Sequence, residues 1–384
     1  MNILQVIPYF TFARGGDVAV CYNLARQLTK KGHNVTILTT NFEYNPEDTD
    51  AIKNLKMVPV DYKFNFALFI YTPLMKKWLD ENITNFDIIH LHEFRSYQNN
   101  IVMKYACKYN IPYIIEPHTS TPTHVGSTYF KKIYDLIYGK RLMRNASGVI
   151  AVSEYEAKYD RMMRSDNIDV IYNGMNFDEF KKLDNINYDK IDQPYILYLG
   201  RLDKLKGINH IIEAFSKLPP EFSNYKLVIA GKINDYKKTL DEIIQKHNLK
   251  DRVVFTGFIK QSEKIALFKD ASLFVNPVKY MGGVSLTVFE SILAGTPVIV
   301  TRQSGEVIEK IDAGLIVKYA DVDELKDTMI KSLTDEKLTQ KQLENGQNYI
   351  YNNLSWSDVT DKIIEVYKKH VNKGDIWLKW HIFY

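Results

Sequence analysis

The stretch Tyr195-Ile-Leu-Tyr-Leu-Gly-Arg-Leu-Asp-Lys-Leu-Lys206-Gly207 decides how the chain is organised. Five apolar or aromatic residues end at a glycine, a short basic loop follows, and Gly207 leads into a helix. A run that is apolar throughout, without strict alternation, suits a strand covered on both faces, as in a parallel sheet. The same strand–loop–helix grammar runs upstream from residue 3. Strand-like runs occupy residues 3–7, 35–39, 88–92, 113–116, 148–152 and 169–172. Between the first two, Val18, Cys21, Ala25 and Leu28 recur at helical spacing and Gly32 supplies a stop, so the segment is a β-α-β unit. After residue 199 further strands are predicted at 226–230, 253–256, 273–276, 298–301 and 315–318. Residues 173–193, polar, charged and aperiodic, read as a linker.

The chain's 384 residues exceed one comfortable α/β core and fit two domains of about 150–200 residues each. The expected fold is α/β: two Rossmann-like, doubly wound domains at residues 1–172 and 194–353. Residues 354–384 supply a last helix, predicted at 356–371 and expected to cross back to the first domain, and an aromatic tail. Open α/β sheets bind ligands beyond the carboxyl ends of their strands, so the two domains are expected to face each other across a ligand-binding cleft.

Composition narrows the function. A net charge of +4 does not support nucleic acid as a partner. Two cysteines, Cys21 and Cys107, fit a reducing compartment, and no cysteine–histidine spacing resembles a zinc site. The first residues read as a core strand rather than a signal peptide, and no apolar run reaches the ~18–20 residues of a membrane span. A cytoplasmic protein is expected. Aromatic residues cluster at 64–71, with Trp78, Lys76 and Lys77 beside them, and again in the tail Trp377-Leu-Lys-Trp-His-Ile-Phe-Tyr384. Such mixtures favour a bilayer interface, which points to peripheral contact with the inner face of the membrane. Packing of the last helix and its tail between domains is the competing reading. The oligomeric state is open.

Two stretches carry chemistry. Arg201 and Lys206 bracket the loop after residue 199; a strand end, a glycine and a helix start there favour an anion, and two cations suit a diphosphate. The second is Gly282-Gly-Val-Ser-Leu-Thr-Val-Phe-Glu290, a glycine turn opening a helix that ends at Gly295. Its backbone amides at Gly282, Gly283, Val284, Ser285 and Leu286 are expected close to a ligand. The Glu290 carboxylate accepts two hydrogen bonds at once, which suits the adjacent hydroxyls of a ribose. In the first half, Asp87-Ile-Ile-His-Leu-His92-Glu93-Phe-Arg95 ends a strand, so His92, Glu93 and Arg95 are candidates for the acceptor side, with a structural role equally open. His118 ends another strand. The first strand–helix turn, Pro8 to Asp17, lacks Gly-x-Gly-x-x-Gly, which argues against a nicotinamide-dependent oxidoreductase.

Gly200-Arg201 through Lys206-Gly207, followed by Glu290-Ser-Ile-Leu-Ala-Gly-Thr-Pro-Val-Ile-Val300, resembles the second domain of the GT4 family, retaining glycosyltransferases of the GT-B fold. Gly15-Gly16, Val152-Ser153 and Tyr172-Asn-Gly-Met-Asn176 resemble further family motifs, and the resemblance spans roughly residues 1–350. It implies transfer of a sugar from a nucleoside-diphosphate sugar (UDP or GDP) to a hydroxyl acceptor: a glycan, a lipid-linked sugar or a small molecule. It implies retention of anomeric configuration, without a metal ion or other cofactor. Arg201 and Lys206 match the family's cationic pair on the donor diphosphate, and Glu290 its ribose carboxylate. Gly15-Gly16 matches the glycine loop whose Gly16 amide approaches the donor phosphate, and His118 the histidine that contacts the transferred sugar. One position departs: the family usually carries a first glutamate eight residues before the second, and Gly282 stands there. A non-catalytic nucleotide-sugar binder, or another GT-B enzyme such as an epimerase or phosphorylase, is the alternative.

Overall fold

The computed structural model describes residues 1–12, 16–48, 52–66, 69–121, 128–163, 166–177, 180, 188, 191–279 and 285–371. The chain divides into two compact units, one made of Met1–Gly174 with Trp356–Tyr384, the other of Met175–Ser355.

In the first unit the strands are β1 (Asn2–Val6), β2 (Asn34–Thr40), β3 (Leu55–Val60), β4 (Phe64–Phe66), β5 (Phe69–Tyr71), β6 (Ile88–His92), β7 (Tyr113–Glu116), β8 (Gly148–Ala151) and β9 (Ile168–Val170). Seven form one parallel sheet in the order β3-β2-β1-β6-β7-β8-β9, while β4 and β5 make an antiparallel hairpin. Side chains alternate between faces. Ile3, Ile7, Ile88, Ile114 and Ile150 pack with the helices Gly16–Lys30 and Trp356–Val371. Leu4, Val6, Leu38, Ile89, Leu91, Ile115 and Val149 pack in a second cluster with the helices Met75–Asn82, Tyr97–Tyr109 and Lys140–Asn145.

The last helix therefore returns to the first unit, as expected. Trp356, Val359, Ile363, Ile364, Val366 and Tyr367 recur at helical spacing and are buried. Each such side chain contributes about 1.5–3 kcal/mol on burial, and Lys31 ties the rim of the helix to Asp361 at 2.9 Å. The edge strand β3 was not predicted. Its residues are only partly covered, and Pro59 is tolerated because an edge strand leaves one side unpaired.

The second unit holds β10 (Tyr195–Leu199), β11 (Lys226–Ala230), β12 (Val253–Gly257), β13 (Leu273–Asn276), β14 (Val298–Thr301) and β15 (Leu315–Val317), all parallel, in the order β12-β11-β10-β13-β14-β15. The unit begins inside the stretch read as a linker. Met175 N–H donates to Leu354 O at 2.7 Å, and Tyr188 N–H to Asp270 Oδ2 at 2.7 Å. Strand order reverses between β1 and β6 in one sheet and between β10 and β13 in the other. Those are the switch points beside which open α/β sheets bind ligands.

Candidate active site

The Gly200–Gly207 loop leaves the carboxyl end of β10 at the switch point, and close approaches fix it there. Gly231 has φ +155, and a Cβ on it would lie 1.9 Å from Gly200 O. At Gly207, φ is +70 and a Cβ would lie 2.4 Å from Pro277 O, so the loops after β10 and β13 meet where only glycine fits. Leu205 O accepts from Lys279 N–H at 2.8 Å, Asp203 Oδ1 from Leu205 N–H at 2.8 Å, and Arg201 O from the Tyr198 hydroxyl at 2.8 Å. The held loop carries an exposed Arg201 and a half-buried Lys206. Among the described residues neither forms an ion pair. Burial, then the Arg201 charge, lowers the Lys206 ammonium to about 8, partly opposed by Asp203. Two cations whose mutual repulsion Asp203 relieves only in part, beside the start of the helix Ile208–Ser216, are suited to an anion.

Glu290 lies in the helix Leu286–Leu293, which follows β13. Its Oε1 accepts from Lys264 Nζ at 2.6 Å, while Oε2 is buried with no partner among the described residues. A buried acceptor left open is costly unless a ligand fills it. Ser285 precedes the helix without capping it, and its hydroxyl lies 2.7 Å from that of Thr287. Leu286 is the first helical residue. Gly15, Gly282, Gly283 and Val284 lie outside the described residues; Gly16 opens the helix Gly16–Lys30 at the β1 end of the other switch point.

In the first unit, parallel register sets His92 beside Glu116 and His90 beside Ile114. His90, His92 and Glu116 are buried on the face covered by the last helix. Tyr367 hydroxyl meets His90 Nδ1 at 2.6 Å, and His90 Nε2 approaches Glu116 Oε2 at 3.1 Å, bent off the hydrogen-bond line. Glu116 Oε1 lies 3.4 Å from His118 Nδ1, and His118 Nε2 is 2.8 Å from His92 Nδ1. Burial pushes the Glu116 carboxyl up, but the His118 charge and the His90 contact outweigh it and hold it below its ordinary range. Burial, then repulsion from His90 and His118, keeps His92 neutral well below its ordinary range. His90, His92 and Glu116 bring three ligand atoms within 4.8 Å. The His90 and His92 rings, however, stack at 4.4 Å and 15°, so their in-plane lone pairs run parallel and do not converge on one ion.

His118 and Thr119 both sit at positive φ, +52 and +66, a costly pair for side chains with a Cβ. Surrounding groups enforce it. Thr119 and Val152 N–H donate to Glu156, Thr121 hydroxyl to Asp160 Oδ1 at 2.7 Å, and Ser120 hydroxyl to Pro117 O. Arg95 donates to the carbonyls of Ser120 and Thr121 and, through Nε and a terminal nitrogen, to Asp135 at 2.9 and 2.6 Å. Arg95 thus braces the His118 segment rather than meeting an acceptor, and His92, fully buried, faces inward as well. Glu93, at φ +67, is raised well above its ordinary range by burial, then by Asp17, its hydrogen-bond partner. Asp17 in turn accepts from Tyr9 hydroxyl at 2.7 Å. Sequence reading missed Glu116, Glu156, Asp160 and Tyr367. Glu116-Pro-His118 at a strand end was the visible signal for the first.

Two family models match the chain: Glycosyltransferase Family 4 over residues 14–179 and Glycosyl transferases group 1 over residues 180–349. An uncharacterized glycosyltransferase of Methanocaldococcus jannaschii is 28% identical, covering 92% of this chain and 94% of its own. Phosphatidyl-myo-inositol mannosyltransferase of Mycolicibacterium smegmatis is 25% identical, covering 96% and 94%. Among solved structures, sucrose-phosphate synthase of Thermosynechococcus elongatus aligns with a TM-score of 0.76 at 20% identity, over 96% of this chain and 98% of that one. Anabaena HepE in complex with UDP-glucose aligns at 0.77 and 18%, over 96% and 100%.

Proposed function

Because the chain belongs to the group 1, family 4 glycosyltransferases and has the GT-B fold, we propose that it moves a hexosyl group from a nucleoside-diphosphate sugar to a hydroxyl acceptor with retention of configuration. One observation carries the donor assignment. At the β10/β13 switch point Arg201 and Lys206 stand outside any ion pair among the described residues, and the helix after β13 offers Glu290 Oε2, which has no partner among them. A diphosphate fits the cations, a ribose hydroxyl fits the carboxylate oxygen, and Ser285 and Leu286 at the helix start supply amides. As the nucleoside diphosphate leaves, negative charge grows on its terminal phosphate. Arg201 and Lys206 stabilise that charge from fixed positions, which is the role a metal ion would otherwise fill. In the first unit, the residues this reading offers to the substrate are His118, on its enforced turn, and Gly16 at the start of its helix. UDP is the favoured nucleotide, since HepE was solved with UDP-glucose, and no cofactor besides the donor is needed.

A lipid-linked or glycan acceptor agrees with the exposed surface of the first unit. Tyr129, Phe130, Leu136 and Ile137 project from the helical run that begins at Thr128, next to Lys131, Lys132, Lys140, Arg141 and Arg144. Phe64, Phe66 and Phe69 project from the hairpin. No helix of the described residues is long and apolar enough to cross a membrane, so the contact proposed is peripheral. Flotation with anionic liposomes, wild type against Phe130→Ser/Leu136→Ser, is expected to separate the two; equal flotation contradicts it.

The test of the reaction is incubation with UDP- and GDP-sugars and a panel of hydroxyl acceptors in EDTA, with the product anomer read by proton coupling constants. Retained product is expected. An inverted anomer, or activity lost to EDTA, contradicts the mechanism; donor binding without any transfer would favour a non-catalytic binder lacking the first glutamate at Gly282.

A further inference from the structure

Resting on the assignment of His118 to the transferred sugar, we infer that Glu116 is a positioning residue that fixes His118 as a hydrogen-bond acceptor, and that Tyr367 on the last helix anchors the same chain of side chains from its far end. The argument is one of donors and acceptors. An ionised carboxylate can only accept, so each ring nitrogen facing Glu116 carries its proton. His118 Nδ1, 3.4 Å from Oε1, is then protonated, and in the neutral ring its Nε2 is a bare lone pair. His90 Nε2, 3.1 Å from Oε2, is protonated too, which leaves His90 Nδ1 to accept from the Tyr367 hydroxyl at 2.6 Å. His92 Nδ1, 2.8 Å from His118 Nε2, must donate, so its own Nε2 is bare; that atom is buried with no partner among the described residues. One carboxylate thus dictates opposite tautomers for His90 and His118.

The arrangement also says what His118 does when a sugar arrives. Its Nδ1 contact to Glu116 lies inside the unit and persists. Its Nε2, occupied by His92, is the position at which a sugar hydroxyl can replace the His92 donor without any proton moving. His92 is a place-holder that keeps the lone pair satisfied in the empty enzyme, and Glu116 guarantees that the vacated atom accepts. The strained turn at His118–Thr119, pinned by Glu156 and Arg95, keeps the ring from turning away.

The test uses the full chain labelled with 15N-histidine, whose ring nitrogens report their tautomers in long-range proton–nitrogen spectra. The nine histidines are assigned by single His→Gln variants. In the wild type, His118 and His92 are expected as Nδ1–H forms and His90 as the Nε2–H form; His118 found as Nε2–H overturns the inference without any variant. In Glu116→Gln, whose amide also offers a donor, one of the two facing rings must switch tautomer. Where His118 is the ring that switches, turnover falls roughly 10²-fold with donor KM nearly unchanged, the size of a misplaced catalytic group. Unchanged tautomers, or an unchanged kcat in a folded Glu116→Gln whose His118 has switched, overturn it. Tyr367→Phe takes the donor from His90 Nδ1 and is expected to shift the His90 Nδ1 resonance while His90 and His118 keep their tautomers; an unmoved His90 Nδ1 overturns the Tyr367 anchor. Should His118→Gln leave kcat intact while the tautomers are as stated, the sugar-contact reading fails and the positioning geometry stands.

Discussion

The two switch points of this chain are built in opposite ways. At β10/β13 the functional groups are incomplete among the described residues: two cations outside any ion pair and a buried carboxylate oxygen without a donor. At β1/β6 and along β7 the groups are inward and mostly occupied. His118 uses both ring nitrogens on its own unit, and Arg95, Glu156 and Asp160 are spent on holding its turn. One region is a socket that a ligand completes, the other a pre-set tool whose shape is maintained from behind.

The largest effect should come from breaking the tool. His118→Ala is expected to lower kcat by about 10²-fold or more while nucleotide affinity, measured by titration, stays within about twofold. A matching loss of affinity would erase the distinction between the regions. Next is the socket: Glu290→Gln keeps the shape but weakens a charge-assisted contact of about 1.5–3 kcal/mol. Nucleoside-diphosphate affinity should then drop by about tenfold or more, with less discrimination against the 2′-deoxy nucleotide.

A third prediction sharpens the socket alone. Lys206 titrates near 8 in the empty protein, and a bound diphosphate would hold it charged. Binding should therefore take up protons around pH 8 and weaken by several-fold between pH 7.5 and 9. Calorimetry in buffers of different ionisation enthalpy reads this directly, and Lys206→Arg should abolish the uptake.

The smallest effect concerns what holds the tool. Burial raises Asp160 to about 7 from its ordinary value near 3.8. A raised acid favours the folded state fully below its unfolded value and loses that contribution as pH rises to the folded one, here from about 4 to about 7. Melting temperature should fall across that window by about 5 °C, and Asp160→Asn should flatten the slope without lowering the melting temperature at pH 7. A wild type whose melting temperature holds or rises across the window contradicts the assignment.

The same contrast explains what could be read from residues alone. Strand runs such as 195–199 and 226–230 are apolar on both faces, and Gly200, Gly207 and Arg201 announce a strand end facing an anion, so the socket was legible. The edge strand Leu55–Val60 was not, because half-covered residues carry a weak pattern. Glu116 and Tyr367 lie far apart in sequence, and only the sheet register and the returning helix bring them to His90. Arg95 looked like a ligand contact because its charge was visible and its partner, Asp135, was not. Buried polar networks are written across distant elements, and a single chain of letters does not show which ends meet.

The most direct test of the account is calorimetric titration of UDP, and then GDP and ADP, into the full chain, alongside Arg201→Ala/Lys206→Ala. The account predicts that one nucleoside diphosphate binds and that the double variant, correctly folded, loses at least about 10²-fold in affinity. Equal binding by both proteins, or none by the folded wild type, would contradict it and reduce the Gly200–Gly207 loop to a solvated basic turn.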